Sequence, residues 1–132
     1  MIDGGFSLVR FFEEGGWPMY FVLAMGASAH LLALAALGSM VAERRAIPLV
    51  FGAGTLLLAV STLCVGAGGF VFGMRQVEEA VAFADSADRD LIRARGREEA
   101  DNNLYFGGCA FLLPFFAGVS AIGRGATMKD RG

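Results

Sequence analysis

The chain has 132 residues, 55% of them apolar and only 18% charged, with a formal net charge of −2. A soluble domain is about a quarter charged, so this composition argues against an ordinary soluble fold. With no Lys/Arg block and a near-neutral balance, it also argues against a nucleic-acid partner.

The charges are unevenly placed. Trp17 to Ala42, Ala46 to Met74 and Asn102 to Gly123 contain no Asp, Glu, Lys or Arg. Each run reaches the roughly 20 residues that cross a bilayer core of about 30 Å. So short a chain has no polar layers with which to wrap three such cores. The expected fold is therefore all-α: three transmembrane helices in one membrane domain, residues 1–132, with the lipid bilayer as solvent.

Residues 1–16 place Phe6, Leu8, Val9, Phe11 and Phe12 among Arg10, Glu13 and Glu14. Leu8, Phe11 and Phe12 share one helical face, so an amphipathic helix on the membrane surface is expected. Gly15-Gly16 breaks it. Asp3, Glu13 and Glu14 stand where a signal peptide would carry basic residues, and the apolar run behind them is too long for a signal core. It should stay attached as a span.

Trp17 suits the interface, and Pro18 suits a first helical turn because its missing N–H costs nothing there. The first span is expected over residues 18–42, closed by Glu43-Arg44-Arg45. His30 lies near its middle, where an ionisable group is a functional candidate by default. A neutral histidine bonded to nearby backbone, or to Thr55, Ser61 or Thr62, is the plainer reading; a proton relay is the sharper one.

The connection to Pro48 is very short, so the first two spans are antiparallel neighbours. The second helix is expected over 48–84. Its apolar part ends at Met74, but Val77, Ala80, Val81 and Ala84 continue the helical period. Asp85 and Ser86 read as a stop and restart, one of them the N-cap. The third helix is expected over 87–123, with Gly96 as a possible kink and 124–132 as a fraying polar tail. The two long segments are equal in length, about 55 Å each at 1.5 Å per residue. They predict a tall antiparallel hairpin that leaves the membrane and folds over at Asp85-Ser86.

Arg44, Arg45, Arg124, Lys129 and Arg131 cluster on one side of the spans. The positive-inside rule makes that side cytoplasmic, with the N-terminus and hairpin tip outside and the C-terminus inside.

No enzyme constellation is present. The single His30 has no nucleophile partner at motif spacing, and one His with two lipid-embedded cysteines, Cys64 and Cys109, makes no metal cluster. Neither a cofactor nor a disulfide is expected. Gly66, Gly69 and Gly73 on the second helix suit close helix packing in lipid. Gly107, Gly108 and Gly118 on the third helix and Gly26 on the first do the same, within one chain or between chains. Glu98, Glu99, Asp101, Asn102 and Asn103 gather where the third helix enters the membrane. They form either a solvated helix end or the polar mouth of a water or ion path, which Thr55, Ser61 and Thr62 would extend.

Phe11-Phe12-Glu13-Glu14-Gly15-Gly16-Trp17-Pro18-Met19-Tyr20 resembles the opening of the MotA/TolQ/ExbB proton-channel family. Glu43-Arg44 resembles the Glu-Arg closing that family's first span, and Gly54-Thr55 the Gly-Thr of its second. Gly96-Arg97-Glu98-Glu99-Ala100 resembles the Gly-x-x-Glu-Ala leading into its third, where Gly107 and Pro114 also have counterparts. The resemblance implies a bacterial inner-membrane subunit with a periplasmic N-terminus. It implies a pentameric ring around single-span partners that bring a membrane Asp, with ion flow coupled to mechanical work. Thr55 and Glu99 are the positions it carries over; Asn103 adjoins the place of the family's third-span Thr. His30 is outside the pattern.

The chain departs from the family in having no large cytoplasmic domain between its first two spans, and Leu104 where the pore Thr would stand. A non-conducting structural or accessory subunit that kept the scaffold is the alternative expectation.

Overall fold

The computed structural model describes residues 16–128. Over that range the fold is all-α: α1 (Gly16–Ser39), α2 (Ala46–Phe83) and α3 (Arg89–Thr127), with no strand among the described residues. All three are long and apolar enough to cross a membrane, and the chain is a membrane protein. The expected surface helix of residues 1–16 lies, apart from Gly16, outside the described residues, as do residues 129–132.

α2 and α3, with 38 and 39 residues, are each nearly 60 Å long by the helical rise of about 1.5 Å per residue. They pack antiparallel along their whole length. Gly52 meets Gly118, Gly66 meets Gly107, Gly73 meets Ala100, and Val77 meets Gly96. α1 lies in the groove of this hairpin, antiparallel to α2 and parallel to α3. Pro18 reaches Gly69, and Gly26 reaches both Thr62 and Ala110.

Apart from Met19 and Val22 near the start of α1, what is buried along the seams is mostly small. α2 buries Pro48, Gly52, Thr55, Ala59, Thr62, Gly66 and Gly69. α3 buries Ala100, Asn103, Gly107, Ala110, Pro114, Ala117 and Ala121. α1 contributes Gly26, Ala29, Ala33 and Ala36. Steps of four and three alternate along each seam, the seven-residue repeat of helices that wind around one another. The large apolar side chains, among them Leu31, Leu57, Val71 and Phe116, face outward. This inverts a soluble bundle. In lipid, burying a leucine gains little, so close backbone approach at small residues decides which faces meet.

The helices differ from expectation by one to four residues at their ends, and also at Gly96. α1 stops at Ser39 rather than Ala42. Tight turn bonds follow, from the Met40, Val41 and Ala42 amides to the Leu37, Gly38 and Ser39 carbonyls. The Ser39 hydroxyl also donates to the Ala36 carbonyl at 2.6 Å. At the hairpin tip the N-cap of α3 is Asp88, not Asp85 or Ser86, and it makes no side-chain cap bond. The turn is closed instead by the Asp88 amide on the Asp85 carbonyl and by Arg89 Nε on the Ala84 carbonyl at 3.1 Å.

α3 runs to Thr127, past the expected end at Gly123. Gly125 packs on Leu49 and the Arg45 carbonyl, which holds the extra turn against α2. Finally, α3 is continuous through Gly96. The missing side chain makes room for Val77 rather than a kink.

Candidate functional site

Three polar side chains lie buried along the line where the helices meet: Thr55, Thr62 and Asn103. Each sits on the seven-residue repeat, so all face the same axis. Thr55 Oγ1 lies 2.7 Å from the Phe51 carbonyl of its own helix and 3.2 Å from the Leu32 carbonyl of α1. Its one hydrogen is shared between two acceptors, and the shorter contact is the local one. Thr62 Oγ1 donates to the Leu58 carbonyl, one turn back, at 2.8 Å. Both hydroxyls are thus turned toward backbone rather than toward each other.

Between Thr62 and Asn103 the seam is closed by backbone. A Cβ added at Gly66 would lie 2.8 Å from the Asn103 carbonyl oxygen and 3.0 Å from Gly107 Cα. Next outward, Gly69 leaves room for the Asn103 carboxamide and for Pro18 of α1. All three helices converge there.

Beyond Asn103 the seam opens into a cavity of about 370 Å³, bounded by the start of α1 and by the outer halves of α2 and α3. Glu99 and Asn103 line it together, with Gln76 and Arg95 beside them and Trp17 and Phe72 among its apolar walls. Of the predicted ion-path residues, the structure therefore brings Glu99 and Asn103 into one space. Thr55 lies deeper, beyond the Gly66–Gly107 contact.

His30 is elsewhere again. Its Nδ1 lies 2.7 Å from the Gly26 carbonyl, one turn earlier on α1. A carbonyl only accepts, so Nδ1 carries the hydrogen. The ring is half-buried, and its bond stays within α1 instead of crossing to a hydroxyl on α2.

Gly66, Gly69 and Gly73 sit at close approaches within the chain: Gly66 to Gly107, Gly69 to Asn103, and Gly73 to Ala100, whose Cβ would lie 3.0 Å from a Cβ added at Gly73. Gly108, grouped with them in the sequence, faces open space. Cys64 and Cys109 are free thiols on the outward surface. No group of acidic, histidine or cysteine side chains among the described residues has the arrangement of a metal site.

Sequence reasoning missed Gln76 and Arg95. Neither stands out in a helix segment rich in charged and polar residues. Continuing the α2 repeat outward from Gly69 through Gly73 reaches Gln76, whereas Arg95 lies beside the α3 repeat, which passes through Gly96. Outside the membrane, Arg93 grips Glu78 across the hairpin through two bonds of 3.1 and 3.2 Å. That hydrogen bonding, opposed by desolvation and helped to a lesser degree by the charge of Arg93, holds the Glu78 carboxyl below its usual range.

No protein-family model, no curated protein and no solved structure matches the chain.

Proposed function

We propose that this chain is a non-conducting structural subunit of a membrane assembly, in the bacterial inner membrane with its N-terminus periplasmic. The observation that carries the reading is the backbone contact of Gly66 with Gly107. Ion transfer along one chain needs a continuous polar lining from Thr55 to Glu99. At Gly66 two helices meet with no side chain between them, and no chain of polar groups can pass. The hydroxyls on the inner side are already satisfied by carbonyls.

A second reading is favoured by one observation. Glu99 and Asn103 line a single outer cavity, as the mouth of an ion path would require. In that reading the chain resembles MotA/TolQ/ExbB stators in function as well as in motif order. It assembles as a ring with a single-span partner bearing a membrane Asp, and the path runs between chains.

The test is reconstitution of the purified chain into liposomes under a pH gradient, alongside its mass in mild detergent. The structural reading expects an assembly above monomer mass and no proton flux beyond protein-free vesicles. Flux that disappears in Glu99→Ala or Thr55→Val would overturn it in favour of conduction. A monomer in detergent would remove both readings.

A further inference from the structure

The outer cavity changes character along its depth. α1 begins at Gly16, level with Gly69 and Asn103, while α2 and α3 continue outward as a pair. Among the described residues the cavity occupies the step between the start of α1 and the α2–α3 pair. Its inner walls are Trp17, Phe72 and glycine backbone, at the end of the uncharged stretches. Its outer walls carry Gln76, Arg95 and Glu99. A volume of about 370 Å³ falls within the roughly 300–1,000 Å³ of small-molecule sites.

Arg95 and Glu99 are one turn apart on α3, so their Cβ atoms are about 6 Å apart. Their neighbours are paired: Arg93 with Glu78, and Arg75 with Glu79. Arg95 and Glu99 take no ion-pair partner among the described residues. A cation and an anion are thus held side by side over an apolar floor.

We propose that this cavity binds the head group of one ethanolamine phospholipid from the surrounding bilayer. The Arg95 guanidinium donates to the phosphate oxygens, a pairing its planar fork suits. The Glu99 carboxylate accepts from the ammonium. Trp17 and Phe72 lie against the glycerol and the first methylenes, where interfacial aromatics are favoured. Phosphatidylglycerol, whose head group lacks the ammonium, would set its phosphate beside the Glu99 carboxylate, a like-charge contact. This inference rests only on the chain spanning a bilayer, and holds for either functional reading.

The test uses the full chain in nanodiscs of equal phosphatidylethanolamine and phosphatidylglycerol, with retained lipid counted by mass spectrometry after mild delipidation. Wild type should retain phosphatidylethanolamine severalfold over its bulk share. Glu99→Gln should erase the preference while keeping both lipids, and Arg95→Gln should lose both. Arg75→Gln, on a residue outside the cavity, should behave as wild type. Retention in the bulk ratio by wild type overturns the proposal, as does a preference that survives Glu99→Gln. Displacement by soluble phosphoethanolamine as effectively as by lipid overturns the lipid assignment, and needs no variant to fold.

Discussion

Gly66 and Gly107 face each other across the α2–α3 hairpin with backbone against backbone. The space a methyl group would need at Gly66 is taken by the Asn103 carbonyl oxygen at 2.8 Å and Gly107 Cα at 3.0 Å. Neither obstacle is a flexible side chain, so relief requires the helices to part. Gly66→Ala should cost roughly 1–3 kcal/mol, the usual range for overpacking a filled interior. Gly68→Ala is the matched control. Nothing lies within 4 Å of its new methyl, and alanine is the better helix former by up to about 1 kcal/mol. Reversible unfolding in mixed micelles would measure both. Equal stability of the two variants would mean the hairpin does not pack at this glycine.

Much of the fold was legible because lipid imposes a simple rule on sequence. Uncharged runs of sufficient length gave the three helices, and the helical period past Met74 gave the tall hairpin. The ends were less legible, since they depend on contacts between segments far apart in sequence. Gly125 looked like part of a polar tail until Leu49 and the Arg45 carbonyl were seen to pack on it. The site was legible only in part. Glu99 and Asn103 stood out because a carboxylate and a carboxamide are conspicuous where a span begins. Gln76 and Arg95 did not, because an exposed charged helix is full of such residues. Only the start of α1 beside them makes a cavity.

Gly96 shows the same limit at one residue. In sequence a glycine within a charged helix reads as a weak point. In the structure Val77 occupies the place its Cβ would take. Gly96→Ala should therefore destabilise the hairpin by roughly 1–3 kcal/mol, more than the loss of a flexible glycine could offset. Val77→Ala in the same chain should recover most of that loss, because the two residues share one contact. A double-mutant cycle in detergent checks this. Simple additivity would place the cost of Gly96→Ala elsewhere.

Thr55 carries a hydrogen bond that joins α2 to α1, yet the bond is a shared one. The hydroxyl is 2.7 Å from Phe51 O and 3.2 Å from Leu32 O. Polar contacts between helices in lipid average about 0.6 kcal/mol, and a shared hydrogen should give no more. Thr55→Val, of nearly the same shape, should thus lower stability by less than about 1 kcal/mol and leave vesicle proton permeability unchanged. A fall in permeability would instead put the hydroxyl on a conducted path, against the structural reading.

The Glu78–Arg93 clasp makes the hairpin tip sensitive to acid. Arg93 donates to both Glu78 oxygens and thereby lowers the carboxyl's pKa in the folded chain. A carboxylate with a depressed folded pKa adds stability that is fully present above its unfolded pKa. That stability is lost as pH falls through the folded value. Amide exchange in the outer turns of α2 and α3 should therefore quicken, relative to the intrinsic rate, as pH drops through the acid range. The span interiors should not change. Both side chains are exposed, so the effect should be modest and should shrink in high salt. Glu78→Gln should flatten the dependence at the tip. If exchange there stays pH-dependent in Glu78→Gln to the same degree, the clasp does not govern the tip.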